Sequence, residues 1–204
     1  MLIGNHVSGV LSAALLVTTL ASTGLALGAQ RPDVDDTVVL VATPELQDPI
    51  YGETILIASP LGNDQHIGFI LNKPSQYSSA PTVRGQPASK PLRDTVYVGG
   101  PDEPNTVFAL LESGNRPGSG WMKLGPDLFM GIASSALDKI MESGTEHARF
   151  FTGVVVWKPG ELEEELKRGS WYVLDADPDV VLPEHTEGLW QKLVHRAEVR
   201  DKAI

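Results

Sequence analysis

The fold is decided by residues 40–74, which read LVATPELQDPIYGETILIASPLGNDQHIGFILNKP. Two short apolar runs, 55–58 and 67–71, stand on either side of the polar segment 62–66, and a third run at 38–42 precedes them. Short β-branched and aromatic runs bounded by Gly, Pro, Asn and Asp are typical of strands joined by turns. This stretch therefore predicts the start of an antiparallel sheet.

The rest of the chain predicts further strands and three helices. Strands are expected at 96–98, 107–111, up to Ile132, at 148–157 and at 171–174, and helices at 135–143, 161–168 and 186–199. The run at 148–157 is continuously apolar, which indicates a strand buried on both faces. Residues 99–101, Gly-Gly-Pro, predict a tight turn, and the segment 75–94, rich in Pro, Ser and Gly, predicts a loop.

Length and composition limit the classes of function that the protein can have. A chain of 204 residues suits one domain. The formal net charge is -10, and all of it belongs to residues 31–204, because residues 1–30 contain no charged side chain. An acidic domain repels phosphate backbones, so direct nucleic-acid binding is not expected. Cysteine is absent, which excludes disulfides, thiol nucleophiles and thiolate metal sites.

The first 30 residues differ from the rest. Residues 7–27 are apolar or small, and small residues follow at Ala26, Gly28 and Ala29. This pattern predicts a secretory signal peptide, although no Lys or Arg stands in the first six residues. Two alternatives remain: the run is long enough for an uncleaved membrane anchor, or the start codon is misassigned. We therefore assign 1–30 to a signal peptide or anchor, 31–37 to a spacer and 38–204 to the domain.

Four ordered motifs identify a resemblance. They are LVATPxLxDPxYxxTILI at 40–57, IGFILNKP at 67–74, VGGP at 98–101, and GxxxWxxGxLExE at 153–165 with a Trp at 171. Together they resemble the YqgE/AlgH family over nearly the whole domain. The resemblance implies an α+β fold, with a compact, mixed but mostly antiparallel sheet curled towards a flattened barrel and flanked by helices. It implies no established chemistry; some members carry a transcriptional-regulator label.

Two sets of side chains contain the residue types of catalytic groups. Ser59, Asp64 and His66 are the types used in nucleophilic hydrolysis, but no G-x-S-x-G motif accompanies them. Glu161 and Glu165 share a helix face and could do acid–base work if their environments differed. The five histidines lack metal-ligand spacing, so neither a metal nor a cofactor is expected.

The leading hypothesis is a non-enzymatic binding module, exported or tethered to a membrane through its N-terminal segment, with an unknown protein or small-molecule partner. The alternatives are a hydrolase-like enzyme that uses one of the two sets above and a cytosolic transcriptional regulator. Residues with special backbone geometry or strand-end positions are expected to converge on the binding surface. They are Asp48, Asn72, Gly99, Gly100, Trp157, Glu161 and Glu163.

Overall fold

A computed structural model describes residues 36–75, 82–83, 86–87, 95–132, 140 and 147–202. In these ranges the chain forms eleven strands and three helices. The strands are β1 (Val38–Ala42), β2 (Ile55–Gly62), β3 (Gln65–Ile70), β4 (Thr82–Val83), β5 (Gln86–Pro87), β6 (Val96–Val98), β7 (Asp102–Glu112), β8 (Trp121–Lys123), β9 (Leu128–Gly131), β10 (Ala148–Trp157) and β11 (Trp171–Asp175). The helices are α1 (Glu161–Lys167), α2 (Pro178–Val181) and α3 (Leu189–Lys202).

Nine of these strands form one sheet, in the order β11-β1-β2-β3-β10-β7-β9-β8, with β6 paired to β10. Every pairing in this sheet is antiparallel except that of β6 with β10. The sheet curls into a half-barrel with a few helices, so the α+β expectation is confirmed. The two strands β4 and β5 pair with each other inside the segment predicted to be a loop.

The predicted hairpin joins β2 to β3 through a two-residue turn. Asn63 and Asp64 both have positive φ, 53° and 58°. A two-residue turn with two left-handed residues matches the right-handed twist of the flanking strands, and Asn and Asp tolerate that conformation. The polar segment 62–66 therefore forms the turn that its composition predicts.

Strands β6 and β7 pair with opposite edges of β10. The segment that joins β6 to β7 must therefore cross over β10. Residues Phe150 to Thr152 pair with β6 on one edge and with β7 on the other, so residues 99–101 pass over β10 between these two strands. A Cβ on Gly100 would lie 2.3 Å from the carbonyl carbon and oxygen of Val154. Gly153 lies at a register shift in β10, with φ 73°. The sequence pattern predicted a tight turn at this Gly-Gly pair. In the structure, the pair allows the chain to pack closely against the backbone of β10.

The sheet is covered on both faces. Alternate residues of β1 face two separate apolar clusters: Val39 and Val41 lie in one, and Val38 and Leu40 in the other. All five residues of β1 are fully buried. Helix α3 packs on the first cluster through Leu193, Val194 and Ala197, and α1 packs on the second through Leu162. These two helices therefore cover opposite faces of β1.

The other predicted elements divide into three groups. The predicted strands and the helix at 161–168 match within a few residues, except β7, which begins five residues earlier than expected; β8 was not predicted. The last helix begins at Leu189 instead of 186, because Gly188 has φ 70° and interrupts the helical backbone before it. Helix α2 was not predicted, although Asp177 caps it and Pro178 opens it, a typical start signal.

The predicted helix at 135–143 lies outside the described residues apart from Ile140, which is helical and buried. The N-terminal apolar run also lies outside them. Within the described ranges, none of the helices combines the length and the apolar character needed to span a bilayer.

Candidate functional site

A polar cavity of about 600 Å³ lies between the start of α1, the end of β10 and the loop that follows β1. We call it the Tyr51–Trp157 pocket. Its lining combines aromatic, apolar and charged side chains, with three carboxylates and one guanidinium. The lining residues are Tyr51, Val155, Val156, Trp157, Pro159, Gly160, Glu161, Glu164, Glu165 and Arg168.

Glu165 ties two indole rings together at the base of this pocket. Its Oε2 atom accepts hydrogen bonds from the Nε1 atoms of Trp157, at 3.2 Å, and of Trp171, at 2.8 Å. Both indoles are nearly buried, 3% and 7% exposed. Buried N–H groups need partners, and a carboxylate is a strong acceptor. The helix therefore holds the two rings in place through one side chain.

Helix α1 begins with a turn that positions its acidic residues. Gly160 precedes it with φ 81°, a conformation that glycine adopts at low cost. The Glu161 carboxylate accepts a hydrogen bond from the backbone N–H of Lys158 at 2.8 Å. Acidic side chains in a first helical turn also suit the helix dipole. Glu161 and Glu165, one turn apart, consequently line the same pocket.

Tyr51 closes the pocket from the opposite side. Its ring meets Trp171 edge-on, with centroids 6.1 Å apart and planes at 80°. Burial, followed by four nearby carboxylates, raises the pKa of the Tyr51 hydroxyl to about 12. Those carboxylates belong to Asp102, Glu165, Asp48 and Glu161. The pocket is thus an acidic environment that favours positive charge.

Two of the predicted surface residues do not line the pocket and instead maintain backbone structure. The Asp48 carboxylate accepts hydrogen bonds at 2.8 Å from the backbone N–H groups of Ile50 and Tyr51, which closes the loop that carries Tyr51. The amide of Asn72 accepts from the N–H of Ile55 and donates to the carbonyl of Glu53, both at 2.9 Å. Asn72 therefore ties the beginning of β2 to the end of β3.

The remaining predicted residues divide between the pocket and the core. Trp157 and Glu161 line the pocket. Gly99 and Gly100 are buried in the crossing over β10 and do not line it. Glu163 is half-buried on α1 outside the pocket, and its Oε2 atom is buried without a hydrogen-bond partner among the described residues.

The predicted nucleophilic set is not assembled. Ser59 pairs with Ile67 across β2 and β3, whereas His66 pairs with Trp157 across β3 and β10. Because successive strand residues point to opposite faces, Ser59 and His66 lie on different faces of the sheet. His66 is buried, and Asp64 lies in the turn itself. In the described ranges, no cluster of three or more His, Asp and Glu residues could hold a metal ion.

Sequence reasoning missed Tyr51, Glu164, Glu165 as an indole acceptor, and Arg168. A signal was available for Glu165, because it lies eight residues after one Trp and six residues before another. Tyr51 is a specified residue of the motif at 40–57, but no spacing pattern links it to α1, because the loop that carries it meets the helix only in the tertiary structure.

Comparison with known proteins shows which family the chain belongs to. A family profile described as AlgH-like matches residues 39–202, which include every strand and helix that forms the pocket. The chain belongs to the AlgH-like family. A UPF0301 protein of Chlorobaculum tepidum is 31% identical over 159 residues, covering 76% of this chain and 83% of that protein. One from Thermobifida fusca is 30% identical over 170 residues, covering 78% and 84%.

Solved structures of AlgH-like architecture superpose on the same core. The solution structure of the AlgH protein from Pseudomonas aeruginosa has a TM-score of 0.66 at 24% identity, covering 82% of this chain and 90% of that one. A crystal structure of a Corynebacterium diphtheriae protein has a TM-score of 0.64 at 21% identity, with coverage of 82% and 89%. At these identities the likeness establishes the AlgH-like fold, and function has to be argued from the site.

Proposed function

We propose that this protein is a non-enzymatic binding module whose Tyr51–Trp157 pocket receives a basic side chain of a protein partner. The observation that carries the proposal is the pairing of aromatic rings with carboxylates in one cavity. Glu161, Glu164 and Glu165 line it against a single Arg168, and the hydroxyl of Tyr51 faces the same negative field. Cations are attracted both to carboxylates and to aromatic rings.

The surroundings of the pocket suit a protein partner. Val156, in the pocket wall, is 41% exposed, and Ile50, beside Tyr51 in sequence, is 44% exposed. Protein interfaces favour aromatic anchors with apolar surroundings and satisfied polar groups at the rim. Arginine is the preferred guest because its planar guanidinium pairs with carboxylates in two parallel hydrogen bonds and stacks on aromatic rings.

The hydrolase alternative gains no support from the site. Its nucleophile and base lie on different faces of the sheet, and one oxygen of each carboxylate in its acid pair holds protein structure: Glu161 accepts from a backbone N–H and Glu165 from two indoles. The regulator alternative would need a surface that attracts phosphate, whereas the net charge of -10 opposes direct contact with DNA.

A pair of peptide libraries tests the proposal. One immobilised pentapeptide library carries arginine at its centre with every residue at the flanks, and a matched library carries citrulline, which keeps the shape without the charge. We expect selected arginine peptides to bind at least tenfold more tightly than their citrulline counterparts, about 1.4 kcal/mol. The double variant Glu161→Gln, Glu164→Gln should lose this preference.

The matched control is the double variant Glu184→Gln, Glu187→Gln, which removes two exposed carboxylates that line neither cavity. It should bind the selected peptides like the parent protein. Equal binding of arginine and citrulline peptides, or unchanged binding by the double variant, would contradict the proposal.

We also propose that the chain is exported or tethered through residues 7–27, on the pattern of that segment alone. The mass of the N-terminus of the full chain, measured with cell fractionation, tests this. A chain that starts near Ala29 or Gln30 outside the cytoplasm supports export, an intact chain in the membrane supports an anchor, and an intact cytosolic chain contradicts both.

A further inference from the structure

A second cavity, of about 790 Å³, opens at another place on the molecule and shares no lining residue with the Tyr51–Trp157 pocket. We call it the Leu124 cleft. It lies between the β8–β9 turn on one side and α2 with the end of β11 on the other. Its lining residues are Asp36, Thr37, Pro60, Glu112, Lys123, Leu124, Gly125, Pro126, Asp127, Leu128, Asp175, Ala176, Pro178, Val181 and Leu182.

The walls of the Leu124 cleft are held by hydrogen bonds. In the β8–β9 turn, the N–H groups of Leu124 and Gly125 both donate to the carbonyl of Leu128, at 2.9 and 3.2 Å. The Thr37 hydroxyl contacts the Leu124 carbonyl and lies 3.0 Å from the hydroxyl of Ser59. A hydroxyl has one hydrogen, so Thr37 donates to the carbonyl and accepts from Ser59. The buried Ser59 thus supports a wall of the cleft.

The chemistry of the cleft is divided between its interior and its mouth. Leu124 and Val181 are buried at the edge of the larger apolar cluster, and Leu128 and Leu182 pack against the same cluster. The charged lining residues are more accessible and mostly acidic: Asp36, Asp127 and Asp175 are exposed, Glu112 is partly exposed, and Lys123 is the single base among them. An apolar interior below a negatively charged mouth complements a ligand with an apolar body and a cationic head.

We propose that the Leu124 cleft binds a small organic cation, an amine or quaternary ammonium carried on an aliphatic or aromatic body. The volume is within the range of about 300–1,000 Å³ that small-molecule sites occupy. The apolar body would displace water from the leucine and valine walls, and the head would remain near the carboxylates at the mouth. This site is independent of the peptide pocket, so either proposal can fail without the other.

Three probes with one alkyl chain and different head groups test the charge preference. Octylammonium, octanol and octanoate are titrated into the full-length protein below their aggregation concentrations, and binding is followed by calorimetry and by backbone amide shifts. We expect octylammonium to bind at least tenfold more tightly than octanol, and octanoate to bind more weakly than either. The shifts should lie at residues 123–128 and 175–182.

Two variants locate the effect. The double variant Asp127→Asn, Asp175→Asn should reduce the affinity for octylammonium at least fivefold and leave that for octanol unchanged. Glu187→Gln, an exposed carboxylate that lines neither cavity, should change neither. Equal affinity for octanol and octylammonium would show an apolar cleft without charge selectivity and would overturn the proposal, as would shifts confined to residues outside the cleft.

Discussion

Removing the carboxylate of Glu165 should destabilise the protein more than removing any other carboxylate on α1. The Glu165→Ala variant leaves the indole N–H groups of Trp157 and Trp171, 3% and 7% exposed, without their shared acceptor. A buried donor that loses its partner costs about 1–3 kcal/mol. Because the adjoining pocket admits water to part of this region, we expect a combined loss of about 2–4 kcal/mol in the free energy of unfolding.

Conservative and matched variants separate the contributions. Glu165→Gln keeps an oxygen that can accept from both indoles and loses only the charge, so the expected loss is about 1 kcal/mol. Glu164→Ala removes the neighbouring exposed carboxylate and should stay within about 0.5 kcal/mol of the parent protein. Urea unfolding followed by tryptophan fluorescence measures all three. A loss below about 0.5 kcal/mol for Glu165→Ala would refute the reasoning, because it would mean that the indoles do not depend on this acceptor.

Three further predictions concern other parts of the molecule. Asn72→Ala should lower the free energy of unfolding in urea by about 1–3 kcal/mol, because a buried N–H of β2 loses its acceptor. A loss below about 0.5 kcal/mol would contradict this structural role and favour a role of Asn72 in binding. Absorbance titration should show one tyrosine ionising near pH 12 that Tyr51→Phe removes. Since this pKa is above its ordinary value of 10, the unfolded chain releases the proton first, so stability should decline between pH 10 and 12 in the parent and less in the variant. Gly153→Ala should prevent folding or lower the free energy of unfolding by more than about 3 kcal/mol, because its Cβ would lie 2.2 Å from the Gly100 carbonyl oxygen. Gly160→Ala, also at positive φ but in open space, should lower it by only about 1–2 kcal/mol.

Most strands of the large sheet were predictable because their apolar residues form short runs with a local stop signal, whereas the short strands β4, β5 and β8 have no such run. The turn at Asn63 and Asp64 illustrates this, since the residues that the turn conformation requires are themselves in the sequence. The crossing of residues 99–101 over β10 was not predictable in the same way. It depends on β6 and β7 pairing with opposite edges of one strand, which only tertiary structure determines.

In the candidate site too, local features were predictable from the sequence and contacts between distant segments were not. The one-turn spacing of Glu161 and Glu165 correctly placed both on one helix face. Asp48 and Asn72 were singled out for their special geometry, and the structure uses that geometry to hold the backbone. Tyr51 comes from a loop more than 100 residues before α1, so no spacing rule connects it to the pocket.

The most direct test of the central claim is a proton–nitrogen correlation spectrum of the indole N–H groups while a selected arginine peptide is added. The chain has four tryptophans, and only Trp157 and Trp171 donate to Glu165 among the described contacts. The proposal predicts that the signals of these two move with saturation, while those of Trp121 and Trp190 stay fixed. Movement of Trp121 or Trp190 with the other pair unchanged would place the peptide elsewhere and contradict the account.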